Sequence, residues 1–166
     1  MKFIKYYISV LTIIYLLAAQ TSSASYFIEN QGQYGDKCSF LFKSKNMNAW
    51  VSGTEIIFEN FLMYNEKYDS EGRILSFKEK GHIYKMSFQD ADFSRFSVRT
   101  NDYPYFNYFL QRDSSEWFTN VRTISEIIYK NIYNNIDLRL YFEKNNLRYD
   151  FIVNPQGDIR DIKINF

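Results

Sequence analysis

The stretch DLRLYFEKNNLRYDFIV, from Asp137 to Val153, holds two short runs in which apolar and charged residues take turns. Side chains of an extended chain point alternately to opposite faces. Leu138, Leu140 and Phe142 therefore share one face, as do Tyr149, Phe151 and Val153. Asp137, Arg139, Arg148 and Asp150 fall on the opposite, wet face. Between the runs, Asn145-Asn146 offers a two-residue turn, because asparagine tolerates the positive φ values such turns require. That turn would pair Glu143 with Arg148, Phe142 with Tyr149 and Leu140 with Phe151, leaving Arg139 diagonal to Asp150. A four-residue loop would instead set Arg139 directly opposite Asp150. Either register keeps the apolar face intact, since both shift the pairing by an even number of positions. The stretch reads as a β-hairpin.

The same grammar recurs along the chain. Short runs rich in β-branched and aromatic residues, such as Cys38–Phe42, Ala49–Val51, Ile56–Met63, His82–Phe88, Phe93–Arg99 and Tyr105–Leu110, are separated by Gly, Asn, Asp and Ser. Ser52-Gly53-Thr54-Glu55 reads as a hairpin loop, and the charged segment Glu66–Lys80 as a solvated loop or hairpin tip. No segment sustains an i, i+3, i+4 apolar stripe beyond two turns. The best helical candidate is Ser114–Asn120, with Ser115 as its cap. Pro155 and Gly157 end the hairpin's second strand, and Asp158–Phe166 resumes the alternation with Ile162, Ile164 and Phe166 on one face. The expected fold is all-β and mostly antiparallel, two packed sheets in a sandwich-like arrangement, with at most one or two short helical turns.

Residues 1–24 follow a different pattern. Lys2 and Lys5 precede an apolar run from Ile8 to Ala19, and small residues at Ser22 and Ala24 mark a cut before Ser25. That is the three-part pattern of a secretory signal peptide, with an apolar core shorter than the roughly 20 residues that span a bilayer. Cleavage leaves residues 25–166 as one β-rich domain with no transmembrane segment, secreted or displayed at the cell surface. Its charge is −1: 20 basic residues less Lys2 and Lys5, against 19 acidic. A near-neutral chain of mixed sign lacks the basic footprint of a nucleic-acid partner. Cys38 is the sole cysteine, so no internal disulfide forms, and the thiol reads as a small buried apolar group. Stability must come from the core, and aromatic residues make up 20% of the chain.

Catalytic and metal chemistry find little support in the residues. His82 is the only histidine and sits in an alternating run beside Gly81, where a half-exposed polar role outweighs that of a base. Asp150 would need a second carboxylate or a histidine converging on it to act as an acid or base. Zinc needs a cluster of His and Cys, which one of each, 44 positions apart, does not form. Asp90-Ala91-Asp92 and Asn101-Asp102 could offer oxygens to calcium but match no defined loop and read as turn carboxylates. Tyr103, Tyr105 and Trp117 could stack against a sugar, although Trp117 reads first as a core anchor. No catalytic, cofactor-binding or metal-binding residue is assigned.

Six segments in order carry a family resemblance: Phe27–Gln33, Gly81–Phe88, Tyr105–Phe109, Trp117–Arg122, Tyr129–Tyr133 with Ile136-Asp137, and Tyr149–Val153. Together they resemble the N-terminal domain of bacterial surface or secreted proteins carrying SBBP-type β-propeller repeats. Such proteins are frequent in Bacteroidota-like bacteria, often with a C-terminal sorting domain for type IX secretion. The resemblance covers about Phe27 to Phe166. It implies a β-rich, non-catalytic extracellular module of unassigned role, and it offers no catalytic residues. The chain departs from the family where Pro155-Gln156-Gly157-Asp158-Ile159 replaces a Pro-Gly-Ala-Asp-Pro-like turn, and it carries no repeats or sorting domain. The expectation is a structural or interaction module, cut short at its C-terminal end, whose partner is the remainder of its own longer polypeptide. The alternatives are a glycan- or protein-binding module built on exposed aromatics, and a hydrolase using Asp137, Asp150 or Asp158.

Overall fold

The computed structural model describes residues 25–44, 46–102, 104–110 and 113–166. The signal-peptide expectation for residues 1–24, and Tyr103, lie outside these residues. The fold is all-β and antiparallel, with lone 3-10 turns between strands. Twelve strands run β1 (Phe27–Glu29), β2 (Phe40–Lys43), β3 (Met47–Ser52), β4 (Glu55–Tyr68), β5 (Ile74–Phe88), β6 (Phe96–Thr100), β7 (Phe106–Phe109), β8 (Trp117–Val121), β9 (Thr123–Tyr133), β10 (Ile136–Glu143), β11 (Asn146–Val153) and β12 (Ile164–Asn165). Ten of them form one sheet in the order β11-β10-β9-β1-β2-β3-β4-β5-β12, with β6 also paired to β9, while β7 and β8 form a separate pair.

The strand β9 is where the large sheet divides. Its residues Glu126 to Tyr129 pair with both β6 and β10, so those strands occupy opposite edges. Ile124 pairs with Thr100 of β6 and with Phe27 of β1, which sets β1 on the edge that β10 has just vacated. From there the sheet continues as a meander from β1 to β5 and curls back, giving a half-barrel. The two expected layers are thus two arms of one sheet. The ring of Phe27 lies 4.7 Å from Phe142 near the fork, and Phe88 of β5 lies 6.1 Å from Phe151 of β11 where the arms approach again. Between them sits a core of Phe40, Phe42, Val51, Ile56, Met86, Ile127, Tyr129, Leu138 and Leu140.

The hairpin of β10 and β11 keeps its expected faces but uses a different turn. Lys144 and Asn145 take φ 48° and 65°, Glu143 pairs with Asn146, and Arg139 lies opposite Asp150. The turn therefore has two residues, one position earlier than Asn145-Asn146. Pro155 supplies the reason. The expected register would place it across from Ile136, in a hydrogen-bonded pair that proline cannot complete. The observed one places the last hydrogen bond of the ladder at the Asn154 amide and the Asn135 carbonyl, one residue before Pro155. Just beyond, Gln156 adopts φ 73°, a left-handed geometry that glycine takes at no steric cost. In this chain of only 6 glycines, asparagine takes several such positions: Asn65, Asn120, Asn131, Asn135 and Asn145 all have positive φ.

Three local expectations are corrected. Ser114–Glu116 is a single 3-10 turn capped by Asp113, whose carboxylate accepts the Ser115 N–H at 2.9 Å, and the chain from Trp117 is strand. Asp158–Phe166 is not one strand: Asp158 caps a 3-10 turn over Ile159–Asp161, leaving only Ile164–Asn165 paired, to β5. Ile162 and Ile164 pack on the core, but Phe166 is 84% exposed. For Glu66–Lys80 the hairpin-tip alternative holds and the loop does not: the segment is mostly ladder, the outer part of a long β4–β5 arm whose tip, Asp69 to Arg73, is closed by an Asp69–Arg73 ion pair.

Candidate functional site

The outer face of β6, β9, β10 and β11 carries two of the three acids considered for hydrolysis, Asp137 and Asp150. Asp150 is exposed there and stands against the Tyr141 hydroxyl. Asp137, expected to face water, is 5% exposed. The cause is a bulge: the β9–β10 register slips between Ile136 and Leu138, because Asn131 at φ 49° interrupts β9. One Asp137 oxygen accepts the Asn131 amide at 2.8 Å and the other accepts Lys130 Nζ at 2.8 Å. Burial raises the Asp137 carboxyl, but Lys130, the Asn131 amide and Asn154 outweigh it and hold the group below the usual carboxylate range. Asp137 clamps the bulge.

Further along β9 lies a residue that sequence reasoning missed. Glu126, on β9, has a buried side chain flanked by arginines from both neighbouring strands. Arg139 Nε of β10 donates to it at 2.5 Å, and Arg99 of β6 reaches it at 3.1 Å. A shallow cleft of about 270 Å3 between Ser97, Val98, Arg99, Glu126 and Ile128 opens over this triad. Its carboxylate is fully occupied by cations, which leaves it poorly placed to take a proton from a substrate.

The histidine lies elsewhere. His82 on β5 pairs with Asn60 and lines a cleft of about 300 Å3 with Asn48, Glu59, Phe61, Gly81 and Ile83. Neither Asp137 nor Asp150 lines that cleft. Glu59 accepts a hydrogen bond from Asn48 at 3.0 Å. Asp158, the third acid considered for hydrolysis, is tied to Arg160, and that bond lowers its pKa. The structure does not bring these acids and His82 together.

The segment Glu29–Gln33 is a lock. Asn30 donates to the carbonyls of Gly35 and Cys38 at 2.7 and 2.6 Å, while its own oxygen accepts the Gly32 and Tyr34 amides. The buried Gln33 side chain bonds the Gln31 amide and the Glu29 carbonyl. Glu29 is gripped by Arg122 through two bonds at 2.6 and 2.9 Å, which holds its pKa below the usual range against the opposing effect of burial. Cys38 is buried beside this loop, and burial pushes its thiol up to about 11. The small β7–β8 sheet leans on the same loop, with Tyr108 and Tyr34 joined hydroxyl to hydroxyl at 2.6 Å and the Phe118 ring against Gly32.

The aromatics divide differently from expectation. Trp117 is 44% exposed, not a core anchor, and meets Phe109 edge to face with centroids 5.1 Å apart. It lies on a two-stranded sheet too small to enclose it. Tyr105 is also exposed. Asp92, considered for calcium, instead accepts the Ser94 amide in a local turn at 2.8 Å. Among the described residues no group of three or more His, Cys, Asp or Glu is arranged to hold a metal ion. Among them, too, no helix is long and apolar enough to cross a membrane.

No curated protein and no solved structure matches the chain. A family model matches residues 27–166, beginning at the first residue of β1 and spanning the fork, the arm and the Glu29–Gln33 lock. The chain belongs to the family described as Domain of unknown function (DUF7948).

Proposed function

We propose that the chain is exported and that residues 25–166 form a non-catalytic structural or interaction module at the N-terminal end of a larger cell-surface or secreted protein, one of the β-propeller-repeat kind. The observation that carries this reading is the state of the acidic groups. Glu29, Glu126 and Asp137 are each satisfied by basic neighbours that hold strands together, and His82 lies in a different cleft. Groups held in this way serve geometry, whereas an acid–base pair needs a free carboxylate converging with its partner. The long β4–β5 arm, with Leu62, Leu75 and Ile83 exposed, suits contact with a neighbouring polypeptide.

Export is tested by mass spectrometry of the protein recovered from its host. A mature N-terminus at Ser25 in the outer or extracellular fraction is expected; an intact Met1 in the cytoplasm would refute it. A second reading, sugar or protein binding, is favoured by the exposed Phe109–Trp117 pair. It requires that Trp117→Ala abolish binding to a glycan panel that the parent recognises.

A further inference from the structure

Among the described residues the second strand of the β10–β11 hairpin leaves one side of its backbone unpaired, and the chemistry of that edge is complementary to itself. Among the described residues β11 pairs only with β10. The Asn154 amide bonds the Asn135 carbonyl at 2.8 Å, continuing the ladder past Val153. Antiparallel residues alternate between partners, so Ile152, Asp150 and Arg148 turn their amides toward β10 as Asn154 does. Leu147, Tyr149, Phe151 and Val153 then turn theirs outward. An open row of donors and acceptors of this kind is a template for another strand.

We propose that this edge pairs with the same edge of a second copy of the chain, antiparallel, about a two-fold axis through Tyr149. Three features select that occupant and that register. The outward amides of Leu147, Tyr149 and Phe151 become hydrogen-bonded pairs, Tyr149 with its copy and Leu147 with Phe151 of the other chain. Arg148 falls directly across from Asp150 of the other chain, and the two-fold repeats this pair, so both charges on each strand meet their opposites. Neither charge has a strong ion pair within the monomer: Arg148 has Glu143 at 3.5 Å with both side chains more than half exposed, and Asp150 accepts the Tyr141 hydroxyl while Arg139, opposite it, binds Glu126. On the inner face Tyr149 and Val153, 44% and 40% exposed, extend the apolar row that the second copy would cover. Two half-barrels would thus join through one continuous sheet.

The register makes a charge-swap experiment decisive. Arg148→Asp sets an acid across from each Asp150, and Asp150→Arg sets a base across from each Arg148. Each variant alone is expected to dimerise at least about tenfold more weakly than the parent in sedimentation equilibrium. Mixing the two restores a heterodimer, because every facing pair is again opposite in sign, and the doubly swapped chain restores the homodimer. Far-ultraviolet circular dichroism of each variant separates loss of pairing from loss of fold. Independently, Tyr149→Cys on the axis is expected to form an intermolecular disulfide under mild oxidation, while Asn146→Cys, away from the axis, does not. A parent that stays monomeric up to about 1 mM, single swaps that leave dimerisation unchanged, or swaps that mixing does not rescue would overturn the proposal.

Discussion

Arg139 lies directly across the β10–β11 ladder from Asp150, yet its guanidinium turns the other way, to Glu126 on β9. It also covers the Tyr141 ring, 4.2 Å from its centroid. Cross-strand adjacency and ion pairing are separate matters here, because the buried carboxylate has more to lose from standing alone than the exposed one. The expected consequence is a contrast between two double-mutant cycles in urea. Arg139 and Glu126 should couple by about 0.5–3 kcal/mol, and Arg139 and Asp150 by less than about 0.5 kcal/mol.

Acid should loosen the fold through Glu29 and Asp137. Both have pKa values depressed in the folded state, below ordinary values of 4.5 and 3.8. Their contribution is therefore complete above those ordinary values and is lost as pH falls through the depressed ones. Thermal unfolding followed from about pH 7 to about pH 3 is expected to show a falling midpoint at the acid end. Glu29→Gln is expected to start lower and to fall less steeply, having already lost the titrating partner of Arg122.

Gly32 carries a prediction of its own. Its φ is 120°, and a Cβ built there would lie 2.8 Å from the Phe118 ring. Gly32→Ala combines backbone strain with displacement of the small β7–β8 sheet, and a loss of about 1–3 kcal/mol in denaturant unfolding is expected. In a Phe118→Ala background the steric part disappears and only the strain remains, so the loss should shrink without vanishing.

The Cys38 thiol should be silent until the protein opens. It is buried and its pKa is pushed up to about 11, so little thiolate exists near neutral pH. Iodoacetamide labelling at about pH 8 is expected to proceed at the rate of opening in native protein and rapidly in urea. Immediate labelling of native protein would contradict this placement.

Much of this architecture was legible in the residues because β-strands write their faces in alternation. Leu138, Leu140, Phe142 and Phe151 reach the core as their period-two spacing implies, while Tyr149 and Val153 share that side of β11 but stay exposed. What the alternation hid is concentrated in β9. There the bulge at Asn131 breaks the period, so Ile127 and Tyr129 are followed inward by Ile132, and Ile124, Ile127 and Ile128 resemble a helical stripe as much as a strand. The same bulge draws Asp137 out of solvent, which no local pattern announces. Glu126 escaped notice because its two partners come from β6 and β10, at positions 99 and 139. The turn was misplaced for a different reason: asparagine pairs suggested it, but Pro155, ten residues away, excluded that register.

The central proposal is that the buried acids shape the sheet instead of doing chemistry. The most direct test is the urea unfolding free energy of Glu126→Gln and Asp137→Asn against the parent. A residue kept for chemistry is commonly a burden on stability, and removing it leaves stability level or raises it. A buried carboxylate that ties neighbouring strands together through their cations and amides does the reverse. Each substitution is expected to cost about 1–3 kcal/mol. Variants as stable as the parent, or more so, would contradict the account and point to carboxylates held in reserve for a reaction.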